Sequence, residues 1–183
     1  KKMVFYKNAW LKLYDKPVFY FPKFFHLDPS VKRQSCFLMP SFINSSSAGI
    51  SINTPYFKVL SNNKDLTLNP RFYSSNKLML QTEYRQVEKD SKYFLDFSFL
   101  KDAATSMKSH FFATANKKIN FLNFEESELF LGLQQSSHNA YLKAYNIASP
   151  IITNRSILES TLKLAAYSED TSFDTNISIY EDL

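Results

Sequence analysis

Glycine is nearly missing from this chain, with 2 in 183 residues. Phosphate-cradling loops and dinucleotide folds need glycine where the backbone approaches a phosphate, so that class of function is excluded. A single cysteine, Cys36, rules out an internal disulfide and is predicted to be a free thiol. The three histidines, His26, His110 and His138, show no spacing with it that would make a zinc site, and no metal or cofactor is expected. No run of about 18 apolar residues occurs, which excludes a membrane-spanning helix but not a membrane-spanning barrel, whose strands turn only every second residue to lipid. The first residues also lack the basic, apolar and small blocks of a secretion signal, so the chain reads as a mature or internal piece of a protein. The net charge is +5, yet the basic doublets Lys1-Lys2, Lys32-Arg33 and Lys117-Lys118 are far apart. A dispersed surplus of this kind solvates a surface; no nucleic-acid partner is expected, whereas an anionic lipid surface is compatible.

What the chain has in abundance is aromatic residues, 18 Phe and 11 Tyr, set in alternating patterns. Ahead of the main series lie two strand-like runs. Ala9, Leu11 and Leu13 share one face of the first, which the turn Asp15-Lys16-Pro17 ends; the second, Val18-Phe19-Tyr20-Phe21, is limited by Pro22 to an edge or a strand end. A polar stretch over residues 28–35 follows and is expected to divide residues 1–33 from residues 34–183. Beyond it, apolar and polar residues alternate in run after run. Ile50, Ile52, Thr54 and Tyr56 oppose Ser51 and Asn53; Leu66, Leu68, Pro70 and Phe72 oppose Asp65, Thr67, Asn69 and Arg71; Leu78, Leu80 and Thr82 oppose Gln81 and Glu83. The pattern recurs through Leu95, Phe97 and Phe99, through Phe111, Ala113 and Ala115, through Leu129, Leu131 and Leu133, through Leu162 and Leu164, and through Ile177 and Ile179. Turns rich in Ser and Asn separate the runs, predicting about ten antiparallel strands in a sequential meander. Residues 141–147 fit a short helix as well as a strand. Three prolines, Pro40, Pro55 and Pro70, stand fifteen residues apart in this series, and proline cannot donate to a strand ladder. Alternation alone fits a soluble sandwich or lipocalin-like barrel and a transmembrane barrel equally, because the two differ only in which face meets solvent or lipid.

Five blocks distinguish these readings. Pro17-Val18-Phe19-Tyr20-Phe21-Pro22, the stretch from Arg33 to Ser41, Thr54-Pro55-Tyr56-Phe57, the stretch from Asp65 to Tyr73, and Glu83-Tyr84-Arg85 resemble, in order and spacing, the LptD (OstA) family of LPS-assembly outer-membrane proteins. The resemblance covers residues 8–86; beyond Val87 only strand character supports it. It implies an all-β chain: the last strands of a periplasmic β-jellyroll over residues 1–33, then the first strands of an antiparallel transmembrane β-barrel over residues 34–183, incomplete at its far side. The implied location is the cell outer membrane, with the N-terminal segment in the periplasm. The implied activity is lipopolysaccharide transport, with Pro40 and Pro55 as candidates for a weakened lateral gate and Phe19, Phe21 and Ile43 as candidates for the lipopolysaccharide path. The implied partners are lipopolysaccharide, outer-membrane lipid, an LptE-like lipoprotein plug and the periplasmic bridge of Lpt jellyrolls. Two positions depart from the family pattern, which has Gly where this chain has Cys36 and Arg where it has Gln34. The rival readings are a general outer-membrane porin and a soluble module binding lipid or sugar.

No enzyme is expected. Ser109 and His110 are neighbours on a strand and therefore point to opposite faces. His26 and His138 fall in stretches read as loops without partners, and Glu125, Glu126 and Glu128 read as a solvated acidic turn.

Overall fold

The structure, a computed structural model, describes residues 3–13, 15–27, 33–45, 49–101, 107–151 and 157–182. Its contacts divide the chain into two compact units, Lys1–Gln34 and Ser35–Leu183. The first unit is an antiparallel hairpin of β1 (Met3–Leu13) and β2 (Lys16–Leu27). Trp10 and Tyr20 face each other across it with ring centroids 4.7 Å apart, and the Tyr20 hydroxyl donates to Asn8 Oδ1 at 2.7 Å. Neither proline ends β2. Pro17 lies one residue past its start, and Pro22 falls opposite Asn8, a position with positive φ that the pairing register skips, so its missing N–H costs no ladder bond. His26 is accordingly in a strand, opposite Val4, rather than in a loop. Of the polar stretch 28–35, residues 28–32 lie outside the described residues.

The second unit is an eleven-stranded antiparallel sheet. Its elements are β3 (Cys36–Phe37), β4 (Ser41–Ser45), β5 (Gly49–Asn53), β6 (Tyr56–Ser61), β7 (Lys64–Tyr73), β8 (Leu78–Val87), β9 (Ser91–Lys101), β10 (Lys108–Lys118), β11 (Glu126–Ser136), β12 (Ile157–Tyr167) and β13 (Ser172–Asp182). One short helix, α1 (Tyr141–Ala144), lies between β11 and β12. From β7 to β13 each strand pairs with the next, as a meander requires. The first part is less simple than alternation suggests. β7 pairs with β5 along one half and with β6 along the other, and β3 pairs with β6 while β4 pairs with β5. β3 and β4 are therefore two halves of one traverse, and β5 and β6 two halves of the next. Counted in this way the sheet has nine traverses, and its two edges, at β4 and at β13, are open among the described residues.

The connections differ at the two ends of the sheet. At one end, called the short-turn rim below, the strands connect through residues 62–63, 88–90, 119–125 and 168–171; at the other the connections span 46–48, 74–77, 102–107 and 137–156, of which the last is by far the longest.

Burial decides which face is which. Ser51, Asn53, Asp65, Thr67, Arg71, Gln81, Asp96, Ser98, His110, Gln134 and Thr161 are all buried. The pairing registers carry an apolar row on the opposite face through Phe42, Ile52, Phe72, Leu78 and Leu80, Phe99, Phe111, Leu131 and Leu133, Leu162 and Ile177, and these side chains are exposed. Among the described residues fourteen that are buried are polar or charged against ten that are hydrophobic, the reverse of a water-soluble core. An apolar band continuous over nine traverses far exceeds the patch a soluble monomer leaves open.

Candidate functional site

Two places on the sheet combine unusual geometry with unusual chemistry: the proline-broken first traverses, and the polar face beneath α1.

The pairing registers bring the three prolines near one another without aligning them: Pro55 falls beside Leu38 and Pro70 beside Thr54, while Pro40 lies in the irregular stretch between the pairs Phe37↔Tyr56 and Ser41↔Asn53, so a loose row of prolines crosses three traverses. The row is short of hydrogen bonds. Leu38 N–H donates to Pro55 O at 2.8 Å and Thr54 N–H donates to Pro70 O at 3.2 Å, but neither proline can return the bond. The first traverse also bulges there. Between the pairs Phe37↔Tyr56 and Ser41↔Asn53 it advances four positions against three on its neighbour, placing one extra residue within 38–40. Met39 stands 89% exposed, and Leu38 and Pro40 are exposed beside it. Phe37, Thr54, Tyr56, Leu68, Pro70 and Leu80 line an open apolar hollow of about 470 Å³ on the outward side of this row.

Pro55 and Pro70 thus sit at the two missing ladder bonds, and Pro40 lies in the bulged stretch beside them. Ile43 lies in β4 opposite Ser51, half-buried, and its carbonyl accepts from Ser51 Oγ at 3.3 Å. It belongs to the polar, sheltered face. Phe19 and Phe21 lie in β2 opposite Leu11 and Ala9, and their side chains are outside the described residues. Cys36 is a free thiol, half-buried in β3 opposite Phe57.

The polar face carries a chain of contacts running across four strands. Arg71 on β7 donates to Gln81 Oε1 on β8 and, at 3.1 Å, to the Tyr145 carbonyl. Gln81 Nε2 approaches both oxygens of Asp96 on β9, at 3.0 and 2.8 Å. Asp96 Oδ1 lies 3.4 Å from His110 Nε2 on β10, long for a hydrogen bond. On the other side of the ring, His110 Nδ1 is 2.7 Å from Ser98 Oγ, which is 2.7 Å from the Tyr141 hydroxyl. Nearer the short-turn rim, Arg85 Nε pairs with Asp65 at 2.8 Å. Buried charges need such partners, because desolvation without them is far costlier than the pairing gains.

The connection between β11 and β12 folds onto this face. Tyr141, Leu142, Tyr145 and Ile147 pack with Tyr73, Met79, Leu100, Phe112 and Leu158 in an apolar cluster on the sheltered side. Ser149 fastens the far end by donating to Gln134 Oε1 at 2.6 Å. The sequence ambiguity at 141–147 resolves as one helical turn followed by Asn146 in the left-handed region.

Burial pushes the Tyr141 phenol up to about 12, partly offset by its bond to Ser98. A phenol free in water ionises near 10, so docking favours the neutral form. The docked loop is therefore held at full strength below about pH 10 and loses this contribution as pH rises from about 10 toward 12. Amide exchange over residues 137–151 is expected to accelerate in that window. Tyr141→Phe should weaken docking at pH 8 by about 0.5–1.5 kcal/mol through the lost Ser98 bond and should reduce the alkaline phase, leaving the part that the buried Tyr73 contributes.

The chemistry visible here is binding and positioning. Ser98, opposite His110 in the strand register, is the hydroxyl that meets the imidazole, whereas the sequence neighbour Ser109 points away and accepts no role with it. Ser98 is completely buried under Tyr141, which leaves no path for a substrate carbonyl in the docked state. His138 has its Nδ1 3.0 Å from Ser137 Oγ, an exposed loop contact, and Glu125, Glu126 and Glu128 are exposed at the short-turn rim.

No family model matches the chain. Similarity to curated proteins is clear. The chain is 40% identical over 96 residues to the LPS-assembly protein LptD of Pseudomonas aeruginosa (strain UCBPP-PA14), which is 52% of this chain and 10% of that protein. It is 38% identical over 94 residues to the LptD of Pseudoalteromonas translucida (strain TAC 125), covering 51% and 12%. It is 37% identical over 102 residues to the LptD of Pseudomonas fluorescens (strain ATCC BAA-477), covering 55% and 11%. The chain thus spans about a tenth of the length of these relatives, which are assembly proteins by name rather than enzymes. Half of this all-β, inside-out chain is homologous to a segment of the LPS-assembly protein LptD, a partial match to a much larger protein.

Proposed function

We propose that this chain is the junction segment of an outer-membrane lipopolysaccharide transporter. The β1–β2 hairpin supplies the last strands of a periplasmic jellyroll, and the sheet from residue 34 onward supplies the first strands of the barrel. One observation carries this reading beyond the similarity itself: one face of the sheet shelters Asp65, Arg71, Asp96, His110 and their polar neighbours while the other exposes a row of Phe, Leu and Ile side chains, the arrangement a wet lumen and a lipid exterior require.

The cargo has an apolar part and a sugar part. A wall that parts sideways lets acyl chains enter the bilayer while the sugar crosses the polar lumen, so neither part enters the wrong solvent. The row through Pro40 and Pro55 is the gate candidate, since the ladder bond Pro55 cannot return to Leu38 is missing where the first traverse bulges at 38–40 and is also an open edge. Ile43, on the sheltered face beside Ser51, sits where the sugar portion would pass. An LptE-like lipoprotein in the lumen and a bridge of Lpt jellyrolls at the hairpin complete the reading by resemblance.

The test is photocrosslinking in cells, in the full-length parent protein, with the probe at Phe19, Phe21 or Ile43 in turn. Lipopolysaccharide adducts at Phe19 and Phe21 are the expected result. A correctly inserted protein that gives no adduct at these two positions would convert the reading to an ordinary porin with a look-alike N-terminal hairpin.

A further inference from the structure

The short-turn rim is polar except in one place. Its other turns are Asn62-Asn63, Glu88-Lys89-Asp90 and Ser168-Glu169-Asp170-Thr171; the turn between β10 and β11 is Ile119-Asn120-Phe121-Leu122-Asn123-Phe124-Glu125. Leu122 is at its tip with φ +50°, a conformation disfavoured for a side chain with a Cβ, and is 80% exposed. A strained, exposed leucine is doubly unfavourable in water. Phe124 N–H donates to the Phe121 carbonyl at 3.2 Å and so closes the turn.

The turn does not project freely from the rim. Phe121 stacks on Phe124 at 6.1 Å and on Phe173 of β13 at 5.9 Å. The register puts Phe173 opposite Ala166, and Ala166 opposite Ser127, all on the outward face that carries Leu131, Leu162 and Ile177. Most of that face is exposed, yet Ala166 is completely buried and Ser127 is 6% exposed, with its Oγ lacking a hydrogen-bond partner among the described residues. The aromatic turn is therefore folded over the outside of the sheet. Lys117, two residues before it, shares that face opposite Leu129 and is exposed at its margin.

We propose that the turn 119–125 is a bilayer anchor, in which Leu122, Phe121 and Phe124 seat in the boundary between headgroups and acyl chains of a phospholipid leaflet. Lys117 lies along the same face with its ammonium toward the headgroup phosphates. The apolar band of the sheet continues into the turn through Phe173, so the occupant that already covers the band covers the turn. Aromatic rings favour this depth because one part of the ring surface is apolar and the other tolerates water, and a lysine stem can lie along lipid while its charge reaches the phosphates. The anchor fixes how deep the sheet rides in the membrane at the rim from which the first traverse starts. This inference rests on the outward face being lipid-facing, as proposed above.

The experiment places a nitroxide on a genetically encoded azide at Leu122 in the full-length parent protein, reconstituted in vesicles of phosphatidylethanolamine and phosphatidylglycerol. Spin-label saturation by oxygen and by a water-soluble nickel chelate then reads depth. Labels at Ile177, in the apolar band, and at Asp170, in the neighbouring polar turn, are the references, and a label at Asn123 repeats the tip reading. The expected result is an oxygen-to-nickel ratio at Leu122 several-fold above that at Asp170 and below that at Ile177. A Leu122 label as open to nickel as Asp170, or shielded from both reagents as under a protein partner, overturns the anchor while an oxygen-rich Ile177 leaves the lipid-facing sheet intact. A nickel-accessible Ile177 overturns both.

Discussion

Replacing Pro40 and Pro55 together with residues that carry an N–H is expected to slow lipopolysaccharide delivery to the cell surface without lowering the amount of folded protein. Leu38 donates to the Pro55 carbonyl at 2.8 Å, and a non-proline residue at 55 would complete that pair by donating back. Pro40 lies within the bulged stretch, between the paired positions Phe37 and Ser41, so its replacement adds a donor with no ladder partner already in place. The ladder bond restored at position 55 contributes about 0.5–1.5 kcal/mol net to the closed wall. That lowers the open fraction by roughly twofold to tenfold, enough to slow export measurably if opening limits it. The readout is newly made lipopolysaccharide reaching the outer leaflet, followed by pulse labelling, with heat-modifiable mobility as the folding control. Unchanged export at normal protein level would show that these prolines merely end strands at the rim. Pro70 gives an internal comparison: it lies in a continuous strand one traverse further from the open edge, and its replacement alone should change export less.

Strand positions and face parity were readable from sequence, because a period of two survives any tertiary arrangement. The apolar series from Leu66 to Ile179 fall within strands and, for most of their members, on one face of the sheet, while the first series runs across the break between β5 and β6 and Leu158 is buried in the sheltered apolar cluster. Which face would be buried was not readable, since inverting the sheet leaves the alternation unchanged; the burial of Ser98, Asp96 and His110 settles it. The broken traverses were half visible. The proline spacing marked the region where the ladder is interrupted, but the doubling of β7 against β5 and β6 depends on strand lengths that alternation does not define. The Ser98–His110 meeting was missed because a histidine's partner in a sheet sits across the ladder, and that depends on a register set by the whole connection between β9 and β10. The docking of Tyr141 and Tyr145 on the polar face was missed too. The dense aromatic content of residues 141–147 was its only signal, and four apolar residues in a long loop could equally have faced lipid.

The inversion of the sheet makes a second large effect predictable. Leu131 is at the middle of β11, between Ala115 on β10 and Leu162 on β12, on the outward face. If that face meets hydrocarbon, Leu131→Arg places a guanidinium near the bilayer midplane and is expected to cost about 2–4 kcal/mol of stability. If the face met water, the same change at a 37% exposed site would stay within about 0.5 kcal/mol, as surface substitutions do. The opposite face supplies the converse. Asn116, half-buried opposite Lys92 and Phe130 and on the sheltered side with Thr114, should accept arginine with little loss, because a wet lumen solvates the charge. The comparison is a urea midpoint for each variant of the parent protein folded in phospholipid vesicles, read by intrinsic fluorescence. A lipid-facing sheet requires the leucine variant to unfold at distinctly lower urea and the asparagine variant to match the unsubstituted protein. Equal midpoints for all three, or a loss confined to Asn116→Arg, would return the chain to the soluble class and remove the physical basis for a gate. The asymmetry is the stronger for needing no assumption about cargo: it follows from which side of one strand has water, and the export mechanism depends on that partition, since a lateral opening is useful only where lipid lies outside and water within.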